Sequence, residues 1–389
     1  MERRCPICHS PELQPFLRYD NVPAFCNIQH PDAHRAKTCS RGDIHLAVCS
    51  QCGFIQNIRF DDTLMSYSQH YENSLHYSPV FQSYAETLAT DLIARYDLYH
   101  KTIVDIGCGR GDFLRFLCQK GHNRGYGFDP SLSKEIRAEP TDQLTLIPDI
   151  YSTKYSRLQA HVFCGRHVLE HLADPSQLLH AIQYSINGTS TAAVYFEVPN
   201  SEYTFTHPAI WDIIYEHPSY FTSSSLYDTF SKCGFHVDEI VHTYKDQYLG
   251  IYAHVDSSKQ QKIHNRAERS RALFDLSNFQ QRVEHIINQW NQNLKTFQKN
   301  DLHVILWGAG SKGVMFLNLV ETARAIDVVV DINTHKQGRF LPGTGHQIVS
   351  PSQLAKLAVD VVIVANPIYK QEVKSLLISM GHNAPVFSF

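Results

Sequence analysis

The sequence predicts an α/β protein with two Rossmann-like units, one central and a smaller one at the C-terminal end, behind an N-terminal cysteine-rich module. Three observations carry this. Strand and helix patterns alternate from residue 101 and again from residue 301, as in a doubly wound sheet. Each stretch opens with a short apolar strand, a glycine-rich turn and a helix, and each has an aspartate at the end of its second strand. Six of the ten cysteines lie in the first 52 residues, and four of those six form two C-x-x-C pairs.

At 389 residues the chain is too long for one typical domain. The predicted parts are 1–57, a metal-binding module; 58–100, a tyrosine-rich connector and helix; 101–255, the central unit; 256–300, a helical connector; and 301–389, the second Rossmann-like unit. A net charge of -3 argues against a general nucleic-acid binder. No apolar run approaches the ~20 residues of a membrane span. The start, Met-Glu-Arg-Arg-Cys-Pro, lacks the apolar core of a signal peptide. The expected compartment is therefore the cytoplasm, where these cysteines are not a disulfide framework. The expected partners are small molecules, for a monomer or small homo-oligomer.

In the first module Cys5-Pro-Ile-Cys8 and Cys49-Ser-Gln-Cys52-Gly53 have the spacing of two zinc knuckles. The 40 residues between them must fold back. Four thiolates leave no open position, so the expected Zn2+ is structural. His9, Cys26 and Cys39 are spare candidates for a ligand. In the connector, Phe81, Tyr84, Leu88, Leu92 and Tyr96 recur at helical spacing. Tyr67, Tyr71 and Tyr77 precede that helix, either packing beneath a lid or pointing a phenol into a site.

The central unit is organised around K-T-I-V-D-I-G-C-G-R-G-D-F-L from Lys101. Strand Thr102–Ile106 leads to Gly107, Gly109 and Gly111, then a helix, then strand Gly125–Phe128 ending in Asp129. Glycines at such a turn admit a ligand close to the backbone, and the second acid can take ribose hydroxyls. The spacing D-x-G-x-G-x-G differs from the dinucleotide fingerprint. It resembles motif I of the class I S-adenosylmethionine (SAM) methyltransferases. That resemblance implies SAM as cofactor, with Asp105 and the three glycines along its amino-acid end and Asp129 on its ribose.

Further strands are expected at Leu144–Ile147, His161–Cys164 and Ala192–Val198, followed by a closing antiparallel pair at Phe235–Val241 and Gln247–His254. Ligands of such sheets bind outside the carboxyl ends of the strands. Asp149, Arg166, His167, His171, Glu197 and Asn200 therefore fall near one rim. Asp149 suits an adenine amino group, and Arg166 and His167 join it as cofactor-binding candidates. His167 and His171 are four apart, one helical turn, and so share a face. The loop W-D-I-I-Y-E-H-P-S-Y-F-T, Trp211 to Thr222, concentrates chemistry in Tyr215, Glu216 and His217. Histidine takes and returns a proton near neutral pH, a carboxylate can orient it, and a phenol can donate to an oxyanion.

The connector 256–300 is polar with apolar residues at helical spacing. Beyond it, strand His303–Trp307 runs into G-A-G-S-K-G, which is G-x-G-x-x-G at Gly308, Gly310 and Gly313. A strand Val328–Val330 ends in Asp331, and a third runs from Val359 to Ala365. This matches the dinucleotide fingerprint, so NAD is one ligand to weigh. A half Rossmann unit also suits a mononucleotide or diphosphate, with Lys312, Lys336 and Arg339 supplying charge.

Taken together, the C-x-x-C pairs, D-I-G-C-G-R-G, E-H-P-S-Y-F-T from Glu216, and W-G-A-G-S-K-G with D-I-N-T-H-K-Q-G-R-F-L-P-G resemble the three-domain SAM-dependent C-methyltransferases of nucleotide-linked deoxysugars. That resemblance spans nearly the whole chain. It implies a nucleotide-sugar role for Gly308, Gly310, Lys312 and Asp331. It implies His217 as the base that removes the hydrogen beside a 4-keto group, assisted by Glu216, with His171 matching a family histidine and Tyr71 or Tyr77 a family tyrosine. The expected setting is cell-surface polysaccharide or a glycosylated metabolite. The family reads Y-H-E-H at the loop, whereas here Ile214 stands three before the base. The alternatives are an O- or N-methyltransferase of a sugar nucleotide, an NAD-dependent sugar oxidoreductase using Gly308, and a zinc-ribbon binding protein with degenerate enzyme folds.

Overall fold

A computed structural model describes residues 3–65, 71–132, 143–186, 192–207, 209–255, 276 and 278–389. Tyr67 and most of the first half of the helical connector, 256–275, lie outside the described residues. The first module is an antiparallel sheet of β1 (Leu13–Pro23), β2 (Arg41–Cys49) and β3 (Ile55–Asn57), with the short helix α1 (Ala33–Lys37) in the β1–β2 connection. This is how the long gap between the knuckles folds back. The β1–β2 pairing sets Leu13 opposite Cys49 and so returns the chain beside the first knuckle.

The helix α2 (Pro79–Tyr96) starts where the Ser78 side chain accepts from the Phe81 N–H and Pro79 fills the first turn. Its buried face, Phe81, Ala85, Leu88 and Leu92, follows the predicted spacing. The central unit then runs through β4 (Thr102–Ile106), α3 (Asp112–Gly121), β5 (Arg124–Phe128), β6 (Leu144–Ile147), β7 (Val162–Arg166), α4 (Pro175–Ile186), β8 (Ala193–Pro199), α5 (Ser201–Thr206), β9 (Ser219–Tyr220), α6 (Ser223–Lys232), β10 (His236–Thr243) and β11 (Tyr248–His254). Seven strands form one sheet in the order β10-β11-β8-β7-β4-β5-β6, with β11 antiparallel to both neighbours. The order reverses at β4, so the Gly107 turn lies at the topological switch point where ligands of open α/β sheets bind.

β9 belongs elsewhere. It pairs with β3 and completes the sheet of the first module. The loop that carries His217 is therefore anchored in the cysteine-rich part of the chain. After the helix α7 (Phe279–Lys299), the second unit is a parallel five-stranded sheet in the order β14-β13-β12-β15-β16. Its elements are β12 (Val304–Trp307), α8 (Ser311–Leu319), β13 (Val328–Val330), β14 (Ile348–Val349), β15 (Val361–Val364), α9 (Lys370–Ser379) and β16 (Val386–Ser388). Trp211 of the loop is 1% exposed and packs on Phe316 and Phe389, with ring centroids at 5.1 and 5.2 Å. One apolar core thus runs from Leu17 and Ile44 through Trp211 to Val314 and Val329. Truncating Trp211 to alanine removes the centre of it, at a cost of about 3–5 kcal/mol.

Candidate active site

The predicted turn folds as a ligand cradle. The Gly107 N–H donates to Phe128 O at 2.7 Å, and the Gly109 N–H donates to Asp129 Oδ2 at 2.9 Å. Gly109 has φ +55°, and a side chain built there would meet nothing within 4 Å, because the space belongs to the cavity. Asp129 also accepts from the Ser131 N–H and hydroxyl at 2.8 and 2.6 Å. Asp105 is 3% exposed on β4, and burial pushes its carboxyl up to about 7 against the pull of Arg166. The cavity is lined by Asp105, Gly107, Gly109, Asp129, Asp149, Arg166 and His167, but two of these side chains have other work. Asp149 accepts from Tyr155 at 2.6 Å and pairs with Lys154. Arg166 is buried against Glu197, Nε to Oε1 at 2.9 Å, with its guanidinium over Phe113.

His167 and His171 do not share a helical face as expected. His167 has φ +57°, and Leu169–His171 is a single 3-10 turn, so the helix begins only at Pro175. His167 instead lies between Glu170 at 3.4 Å and Glu197 at 3.2 Å. Burial works to lower its pKa, but the two carboxylates hold it up at about 9, so it is an imidazolium at neutral pH. Glu197 is fully buried. Burial works to raise it, but Arg166 and His167 hold its carboxyl at about 2. The Tyr84 hydroxyl donates to the same carboxylate.

A second cavity meets the first along a shared wall that includes Tyr71, Asn73, His167 and His171. His217 lines the second cavity beside His171, ring centroids 4.7 Å apart. His171 Nδ1 is 2.9 Å from Glu216 O, and a carbonyl only accepts, so Nδ1 carries the hydrogen and Nε2 has the acceptor lone pair. Burial lowers the pKa of His171. Burial, then His171, His167 and Lys312, hold His217 well below the usual histidine range. Both rings are neutral bases at neutral pH.

Glu216 is buried beneath them. It accepts from the Cys26 N–H at 2.8 Å and from the Tyr71 hydroxyl, and burial pushes its carboxyl up to about 7. Tyr71 lies in this cluster, whereas Tyr77 packs edge-on against His335 at 6.2 Å. Tyr215 does not belong to the cluster. Its ring faces Gly42 and Phe60 in the first module, and its hydroxyl accepts from the Asp61 N–H at 2.8 Å. The chain turns at Tyr215 and Glu216, with the His217 N–H on Ile214 O at 3.2 Å, and the turn sends the Tyr215 ring to the first module and the Glu216 carboxyl to Cys26.

The far end of the second cavity is the Gly308 turn. The Ala309 N–H donates to Asp331 Oδ2 at 2.7 Å, and Gly310 opens on empty space at the start of α8. Lys336 is 4% exposed with its ammonium 3.3 Å from Ala309 O, and it forms no ion pair among the described residues. Lys312 pairs with Asp212. Arg339 is exposed and does not line the cavity.

The sulfurs of Cys5, Cys8, Cys49 and Cys52 lie within 4.8 Å of one another, a donor set that suits tetrahedral zinc. Both knuckles turn alike, with the His9 N–H on Cys5 O at 2.9 Å and the Gly53 N–H on Cys49 O at 2.8 Å. His9, Cys26 and Cys39 are not in this cluster. Residues that sequence reasoning passed over are Asn27, Asn73 and Ser74 on the cavity walls, and Glu72 and Arg110 above the turn. Arg110, inside the glycine motif, was the one legible signal.

Sheet order, turn and acids define a class I SAM methyltransferase fold. Residues 81–240 match the family model described as a methyltransferase domain. Residues 252–383 match the model of a C-methyltransferase C-terminal domain. The chain is thus a SAM-dependent methyltransferase that carries a C-methyltransferase C-terminal domain. No curated protein matches it. Among solved structures it is similar to magnesium protoporphyrin IX methyltransferase from Synechocystis PCC 6803 with bound SAH, at 17% identity, over 46% of this chain and 84% of that one, TM-score 0.35. It is also similar to an S-adenosylmethionine-dependent methyltransferase from Mesorhizobium loti, at 14% identity, over 44% of this chain and 97% of that one, TM-score 0.35. A third is mitomycin 7-O-methyltransferase, at 16% identity, over 46% and 54%, TM-score 0.38.

Proposed function

We propose that the protein C-methylates a nucleotide-linked keto-deoxysugar. SAM lies on the Gly107 turn, and the sugar nucleotide spans the second cavity with its phosphates toward Gly310 and Lys336. The observation that carries this reading is the wall between the cavities. In it His171 stands beside His217 next to the first cavity, and the second cavity ends at a buried lysine, Lys336, that forms no ion pair among the described residues. A buried ammonium without a carboxylate is a site for an anion, and the adjoining start of α8 favours the same charge.

In this reading His217 Nε2 or Nδ1 takes the proton from the carbon beside the 4-keto group. The C–H electrons become the enolate, with the charge on the ketone oxygen. Tyr71 lines the wall beside that oxygen, with its hydroxyl held by Glu216 and by Asn27 Nδ2 at 3.4 Å. SAM supplies an electrophilic methyl on its sulfonium. The enolate carbon forms the new C–CH3 bond as the S–CH3 bond breaks, and His217 later returns its proton to water. His171, fixed by its Nδ1–H on Glu216 O, orients the His217 ring. Zinc at the four cysteines would hold β3, and through it β9 and the loop of the base. The NAD reading is disfavoured by the match of residues 252–383 to a C-methyltransferase domain.

The test is mass spectrometry of the protein with SAM and a panel of nucleotide-linked 4-keto-6-deoxysugars in deuterated water. A gain of one methyl is expected with SAM, and with S-adenosylhomocysteine in its place the hydrogen beside the ketone should exchange for solvent deuterium. A methyl gain without exchange moves the acceptor to oxygen or nitrogen, and no methylated sugar from the panel overturns the substrate class.

A further inference from the structure

Glu72 is a buried carboxylate that the chemistry above does not use. It is 8% exposed where all three parts of the chain meet. Its N–H donates to Asn27 O of the first module at 2.8 Å. Oε2 accepts from Arg110 Nη2, within the glycine motif, at 3.0 Å. Oε1 accepts from Asn333 Nδ2, beyond β13, at 3.1 Å. Each contact continues inward. The Asn333 N–H donates to Asp331 Oδ1 at 2.8 Å, and Asp331 takes the Ala309 N–H at 2.7 Å. On the other side Gly109, next to Arg110, donates to Asp129 at 2.9 Å. Arg110 also reaches His335 Nε2 at 3.0 Å. One path of hydrogen bonds and short backbone links therefore joins the acid of the first turn to the acid of the second.

We propose that Glu72 couples the two ligand sites, so that filling the Gly107 turn orders residues 331–336 for the second ligand. Gly107, Gly109 and Gly111 all have positive φ, at 69°, 55° and 81°, and none of the three has a side chain with which to fix the turn. A ligand there fixes Arg110, and Glu72 passes that restraint to Asn333. Ordering done by the first ligand need not be repeated for the second, which makes binding cooperative and, by linkage, reciprocal. Glu72 is a positioning residue in this account. The cooperative role rests on the reading of the Gly308 turn as a ligand site; the ordering itself does not.

The test uses S-adenosylhomocysteine alone, so it stands apart from the identity of the sugar. Amide hydrogen exchange is followed with and without it. In the wild type, exchange across 331–336 is expected to slow by about five- to tenfold. In Glu72→Gln the ligand still binds within about threefold and protects 107–111, but the slowing at 331–336 is lost. Asn333→Ala cuts the path at its other end and gives the same loss. Unchanged exchange at 331–336 in the wild type overturns the proposal, as does slowing that persists in either variant. A merely structural Glu72 would lower stability without breaking this transfer.

Discussion

Gly107 and Gly308 end the first parallel strand of their units, and each donates its N–H to the carbonyl just before the acid of the second strand, Phe128 O at 2.7 Å and Val330 O at 2.8 Å. In both, that acid then accepts an N–H from the turn and another from two residues beyond itself, Gly109 and Ser131 for Asp129, Ala309 and Asn333 for Asp331. The two turns share this hydrogen-bond pattern; the charges around them differ. The first turn has a buried carboxyl, Asp105, two residues before its glycine, where the second has Leu306. The second has a buried lysine, Lys336, and the first has none among the described residues. The turn is a scaffold, and the neighbouring ions choose its ligand. An acid-rich turn suits the cationic methyl donor, and a lysine suits phosphate.

The contrast can be broken in several places. The largest effect is expected from His217→Ala, which should lower turnover by about 10²–10⁴-fold while S-adenosylhomocysteine affinity stays within twofold. Because the pKa of His217 is depressed, wild-type kcat/KM should hold its acid limb below the ordinary histidine range. A limb near 7 would point to Glu216 instead.

Asp105→Asn tests the acid of the first turn. Its carboxyl is raised in the folded state, to about 7 from an ordinary 3.8, so its contribution to stability is full below about 4 and is lost as pH rises through 7. The variant should melt near the wild type at pH 4 and well above it at pH 8, by on the order of 4 kcal/mol. Equal melting at both would mean that Asp105 carries no buried charge.

Lys336→Met tests the cation of the second turn. Affinity for a nucleoside diphosphate should fall about 10–100-fold in calorimetry, with S-adenosylhomocysteine binding intact. The smallest effect is Tyr215→Phe. Losing the acceptor of the Asp61 N–H should lower stability by about 1 kcal/mol and leave turnover unchanged. A large loss of turnover would return Tyr215 to the active site.

Much of this was legible because it is local. Thr102–Ile106, the three glycines, Asp129 and the Gly308 turn are set by spacing within about 30 residues of chain, and β4 matches its predicted ends. The cysteine knuckles are short motifs of the same kind. What was not legible depends on partners far along the chain. β9 has two residues and no strand signal, yet β3, more than 150 residues earlier, recruits it. That pairing turns Tyr215 toward the first module and leaves Glu216 beneath His171. Arg166 had the composition of a ligand contact, but Glu197 on the adjacent strand claims it. Glu72 lies in a polar, tyrosine-rich stretch with no periodicity, and only the meeting of three domains gives it partners.

The most direct measurement is a calorimetric titration of S-adenosylhomocysteine into the wild type, Gly109→Arg and Gly310→Arg. Both glycines open on empty cavity space, so each arginine blocks its own turn. The account predicts one site per chain, abolished by Gly109→Arg and preserved in Gly310→Arg. Binding that survives Gly109→Arg, or is lost in Gly310→Arg, would contradict the assignment of the two turns to different ligands.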